Sequence, residues 1–245
     1  HDRIQQAAYS LIEEERRKGV HLQIGRSMLH HAKPQELEEK VIEIVRQLNE
    51  GKALIEDSED QVELSRLNLK AGRKAKSSTA YAPAFQYLTV AMELLPENAW
   101  EERYDLAFEI SKEFSECAYL CGEFERAEKQ VEILLEQART NLEKARIFKM
   151  KAVQYTVMGK HAEAIHFCIK GLRSLGMKLF LKTSSSSVLR ERALAKGNLG
   201  NRKIADLLDH PDVSDSGTRL KLRILMDLTV SAYMTGNMNL YAMAI

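Results

Sequence analysis

This sequence predicts an all-α fold of antiparallel helix pairs, and three observations predict it. Leu, Glu, Lys, Arg and Ala dominate while Gly (12) and Pro (4) are scarce, which is the chemistry of helices. Apolar residues recur at helical spacing, as in Leu37, Val41, Ile44, Val45 and Leu48, which put one stripe along a helix over residues 36–49. A glycine also recurs five residues ahead of an alanine, in the manner of an array of similar units. With 44% hydrophobic residues in 245, the chain has enough apolar material for a continuous core.

The glycine signal is explicit. Gly122-Glu123-Phe124-Glu125-Arg126-Ala127 is echoed by Gly159-Lys160-His161-Ala162-Glu163-Ala164 and by Gly200-Asn201-Arg202-Lys203-Ile204-Ala205. An earlier unit has Ala84, Leu88, Ala91 and Pro96, with Thr79 in place of the glycine. Twelve residues before each alanine stand Gly72, Ser115, Ala152 and Ala193, all small, as a close helix crossing requires. Each glycine is expected to end one helix in a left-handed turn, so that the next packs back antiparallel. A weaker fifth unit around Gly236, with Thr229 and Tyr241 at the matched places, reads as half a repeat.

The alanines lie 43, 37 and 41 residues apart, and the pattern resembles the tetratricopeptide repeat with somewhat lengthened loops. That resemblance implies a right-handed α-α superhelix. Breaks are expected at Gly51, Glu97-Asn98, Asn141, the serine run of residues 182–187 and His210-Pro211-Asp212. The serine run is a candidate cap for a helix starting near Val188.

The balance of 36 Lys+Arg against 35 Asp+Glu provides no global field for nucleic acid or anionic membrane, and stacking aromatics are sparse. No apolar run reaches the roughly 18 residues needed to span a bilayer. Cys117, Cys121 and Cys168 form neither an even set nor a C-x-x-C pair, so a reducing, cytoplasmic setting is expected. The first residue, His1, and the apolar ending at Ile245 read as those of a piece of a longer protein.

Candidate chemistry resolves into structural roles. Cys117 and Cys121 share a helical face, yet no further Cys or His pair completes a zinc set, so they read as small buried hydrophobes. His161, His166 and Cys168 do not share a face. His30-His31 suits the negative end of a helix. His1-Asp2-Arg3 lacks the rest of a kinase catalytic loop, and the serine run lacks a nucleophile elbow. Hence no enzymatic activity, no cofactor and no metal are expected.

Several stretches resemble, in order, the region that follows the ATPase module of large STAND-type signalling proteins. They are residues 1–12, Glu14-Glu15-Arg16, His21-Leu22-Gln23-Ile24-Gly25-Arg26, Gln47-Leu48-Asn49-Glu50-Gly51, residues 67–76, Tyr87-Leu88, Glu93-Leu94-Leu95-Pro96, residues 223–228 and Ala232-Tyr233. In that family the helical region lies between an ATPase and a sensor histidine kinase or cyclase. The resemblance implies a helical segment over residues 1–57 joining an upstream ATPase, then about four repeats and a truncated unit over residues 58–245. It also implies a regulatory role, with neighbouring domains of the same polypeptide, or a protein or peptide ligand, as partners. The ATPase's own phosphate loop is absent from this sequence.

In tetratricopeptide superhelices the concave positions bind ligand, and here they hold Arg66, Arg73, Lys76, Glu109, Lys112, Glu116, Arg146, Lys149 and Arg190. The cations Arg66, Arg73, Lys76, Lys112, Arg146, Lys149 and Arg190 are therefore candidates to bind an acidic peptide. The alternative reading is an effector sensor that encloses a small molecule inside the superhelix.

Overall fold

In a computed structural model, residues 13–200 and 213–245 are described; among them lie twelve α-helices, one 3-10 turn and no strand. The chain divides into two compact units, His1–Leu134 and Leu135–Ile245.

The first unit holds α1 (Glu14–His31), α2 (Pro34–Glu50), a 3-10 turn (Lys52–Leu54), α3 (Ser58–Ser77), α4 (Tyr81–Glu93), α5 (Ala99–Glu102), α6 (Tyr104–Leu120) and most of α7 (Phe124–Gln137). Pro34 sits at the first position of α2, where a missing N–H costs nothing, and Asp57 caps α3 by accepting from the Glu59 and Asp60 amides. The stripe of α2 is buried as its spacing demands, with Ile44 and Val45 fully covered. Asn49 and Asn68 exchange two amide hydrogen bonds of 2.8 and 2.9 Å, which pins α2 to α3 in one register. α4 packs against α3, and α6 packs against both. At Gly72 α3 and α4 approach closely: a Cβ there would stand 2.8 Å from Leu88 Cγ. Ser115 of α6 donates to the Ala127 carbonyl of α7 at 3.1 Å, so the second matched pair crosses at its small residue as well.

The second unit holds α8 (Asn141–Val157), α9 (His161–Ser174), α10 (Ser185–Leu199), α11 (Ser216–Met234) and α12 (Met238–Ala244). α8 opens on a capping box between Thr140 and Glu143, so Asn141 is its first residue rather than a break. α9 packs against α8, with Ala152 and Ala164 fully buried, and α11 then packs against both. Each unit therefore repeats one rule, in which the third helix lies across both members of the preceding hairpin.

The hairpin turns are built alike. The backbone N–H groups of Ala80, Glu123, Lys160 and Asn237 reach back five residues to the carbonyls of Ala75, Ala118, Tyr155 and Ala232. The residue before each donor is left-handed: Thr79 (φ 60), Gly122 (φ 82), Gly159 (φ 72) and Gly236 (φ 70). Thr79 is the one non-glycine residue of positive φ among the described residues. A β-branched side chain pays about 1–2 kcal/mol there. Thr79→Gly is therefore expected to stabilise the protein by about 1 kcal/mol despite glycine's extra chain entropy, raising Tm by about 2–4 °C. An unchanged or lower melting point would mean that the α3–α4 turn is not left-handed.

One expectation about the repeats needs correction. Ala193, assigned to a tight crossing, is exposed, and no residue of α10 is buried. Its apolar residues are scattered around the helix, so it has no face to bury; Ala205, the matching anchor, lies outside the described residues. The unit around Gly236 packs as a hairpin of α11 with the seven-residue α12, with Ile224, Leu228, Ala232 and Leu240 fully buried. Ser184 does cap α10, accepting from the Ser187 amide, but the helix starts at Ser185, ahead of Val188.

Candidate interaction surface

The candidate cations fall in both units, and the structure shows what each one faces. In the first unit Arg66, exposed on α3, lies 3.9 Å from Glu63 one turn away. Arg73 and Lys76, further along α3, point at α6. Arg73 pairs with Glu109 and, at 3.0 Å, with Glu113; Lys76 pairs with Glu113 and, at 2.5 Å, with Glu116; Lys112 joins Glu109 at 2.7 Å. Three cations thus meet three carboxylates in one ladder between two parallel helices. In the second unit Lys149 of α8 meets Asp227 of α11 at 3.1 Å. Arg146 on α8 and Arg190 on α10 are exposed.

Glu113 is the centre of the ladder and the residue that the sequence reading omitted. Its side chain is only 9% exposed. Burial alone would raise its pKa, but the hydrogen bond and charge of Lys76, together with Arg73 and Lys112, outweigh burial and hold the carboxyl below its usual range. Burial likewise opposes the Lys76 charge, yet Glu116 and Glu113 raise its ammonium pKa above the ordinary lysine value. The signs give two pH limits. A depressed carboxylate contributes stability above its unfolded pKa and loses it as pH falls through the folded value. A raised lysine contributes fully below its unfolded pKa and loses that as pH rises through the folded one. Glu113→Gln should therefore cost roughly 1–3 kcal/mol at neutral pH, toward the low end because Arg73 is partly hydrated and keeps Glu109. Urea titration should show the difference from wild type vanishing in strong acid; a difference independent of pH would mean that the carboxylate charge contributes nothing.

Other candidate groups take structural positions. Burial pushes the Cys117 and Cys168 thiols up to about 12 and raises that of Cys121, so all three stay protonated at neutral pH. His30 and His31 lie in the last turn of α1, and His161 opens α9 with Nδ1 3.3 Å from Ser231 Oγ. No described helix is long and apolar enough to cross a membrane.

In the first unit an open groove of about 730 Å³ lies between α2 and α3. Leu37 and Val41 supply its apolar wall, and Lys70, Arg73 and Lys74 line its opposite side. Lys74 donates to the Glu38 and Glu39 carbonyls at 2.6 Å each, while Lys70 is exposed. Lys70 and Lys74 escaped the sequence reading because they fall between the repeat positions it followed.

The described residues are thus helical hairpins, with an interhelical charge ladder in the first unit. No family model matches the chain. It is 28% identical, over 233 residues that take in 85% of the chain, to hybrid signal transduction histidine kinase G of Dictyostelium discoideum. The chain spans 7% of the length of that protein.

Proposed function

We propose that this chain is a non-catalytic, tetratricopeptide-like region of a larger cytoplasmic signalling protein, and that it acts by binding neighbouring domains or a peptide. The observation that carries the reading is the repeated packing rule, in which a third helix lies across both helices of a hairpin. Stacking of that kind extends into a right-handed superhelix that offers long faces to a partner. The similarity to a hybrid signal transduction histidine kinase supports the signalling context.

The ligand proposed is an acidic segment with apolar anchors. Arg73, Lys76 and Lys112 are already balanced by Glu109, Glu113 and Glu116, so an incoming acid gains most where cations remain hydrated. In the first unit that place is the α2–α3 groove, where Leu37 and Val41 lie opposite the exposed Lys70. Arg66, Arg146 and Arg190 remain as exposed cations elsewhere. An effector sensor would use the same groove, but its open form suits a chain segment better than an enclosed small molecule.

Titration of peptides tiled from the flanking polypeptide tests this. Binding should weaken with salt, fall about tenfold in Lys70→Glu, and persist in Lys129→Glu on the exposed face of α7. Binding indifferent to salt and to Lys70→Glu would sink the proposal.

A further inference from the structure

The free charges along the α2–α3 groove differ in sign between its two edges. On the α3 edge Arg73 is held by Glu109 and Glu113, and the Lys74 ammonium donates to the Glu38 and Glu39 carbonyls. Lys70 is the cation of that edge without an ion-pair or hydrogen-bond partner among the described residues, and it is exposed. On the α2 edge Glu38 and Glu39 are exposed as well, and no described cation pairs with either carboxylate. Leu37 and Val41, one turn apart on α2, give the groove its apolar surface.

These edges constrain what the groove takes. A segment acidic on both sides would meet Lys70 with one side and be repelled by Glu38 and Glu39 on the other, whereas a segment with an acid on one side and a base on the other satisfies both edges. The ligand's backbone is constrained too. An extended segment needs a strand edge to pair its N–H and C=O groups, and the described residues contain no strand. A helix pairs those groups internally, lays one apolar seam into a groove and holds different residues on the two flanks of that seam. Between Lys70 and Ser77 the groove follows α3 for about 10 Å, which accommodates about two turns of such a helix.

We propose that the groove takes an amphipathic helix with an acidic flank along Lys70 and a basic flank along Glu38 and Glu39. This deepens the docking reading of the same groove and rests on it. The sign of one double substitution distinguishes the two: Glu38→Gln with Glu39→Gln weakens a helix charged in this way and tightens a purely acidic ligand.

The probes are two designed peptides of about four helical turns, each with leucine along one seam. One carries Glu on one flank and Lys on the other; the second carries Glu on both. Turning a helix end for end exchanges its flanks, so the Glu/Lys peptide can match the edges in one of its two directions. Fluorescence anisotropy at low salt should show the Glu/Lys peptide binding about fivefold more tightly than the all-Glu peptide. The Glu38→Gln, Glu39→Gln protein should lose that preference, and Lys70→Glu should weaken the Glu/Lys peptide about fivefold. A difference in helicity between the free peptides would carry over to the glutamine variant unchanged, so the loss of preference reports the α2 edge alone. A preference absent in the wild type, or unchanged by the glutamines, overturns the proposal. If Lys70→Glu still weakens both peptides in that case, the acidic-segment reading stands without it; if Lys70→Glu affects neither, both fall.

Discussion

Replacing Leu88 by alanine is expected to cost about 2–5 kcal/mol, and adding Gly72→Ala to that variant is expected to restore about 1 kcal/mol. Leu88 is fully buried at the crossing of α3 and α4, so truncation removes its contacts and leaves a cavity between two helices that are pinned elsewhere. In the wild-type background Gly72→Ala should do the opposite. Its new methyl would stand 2.8 Å from Leu88 Cγ and 3.0 Å from Cδ2, and the overpacking, about 1–3 kcal/mol, exceeds the roughly 1 kcal/mol that alanine gains over glycine in a helix. Once Leu88 is shortened, the nearest remaining neighbour is the Ala84 carbonyl at 3.4 Å, and the methyl occupies space that would otherwise be void. The substitution thus changes sign with its background. A double-mutant cycle read by urea unfolding checks this, and additive effects would mean that the two residues do not meet.

How far the fold could be read beforehand depends on what each signal reports. Gly122 and Gly159, each five residues ahead of an alanine, report a turn and a crossing together, and both proved real: Ala127 and Ala164 are buried beneath left-handed glycines. Thr79 was recognisable as a residue in a glycine's place, and its positive φ shows why the position matters. Gly200 carries the same local signal, but a turn signal says nothing about whether the helix before it has a face to bury. α10 has none. The decisive signal lay in α11, where Leu220, Ile224, Leu228 and Ala232 recur every four residues along one buried face.

The candidate site was legible in position and not in partnership. A period near 40 residues aligns cations from successive helices, and the same period aligns carboxylates with them. Arg73 lies 36 residues from Glu109 and 40 from Glu113, so stacking that gathers the cations also neutralises them. Glu113 went unnoticed because it falls one turn off the register followed, and only the packing of α6 on α3 brings it under Arg73 and Lys76.

Whether α11, rather than α10, completes the second stack is tested most directly by truncating one leucine in each helix and comparing unfolding free energies. Leu228 is fully buried against the α8–α9 hairpin, and Leu194 on α10 is 50% exposed. Leu228→Ala should lose about 2–5 kcal/mol, while Leu194→Ala should stay within about 0.5 kcal/mol of wild type. Equal losses, or a larger loss at Leu194, would contradict the order of packing and return the unit around Gly200 to the stack.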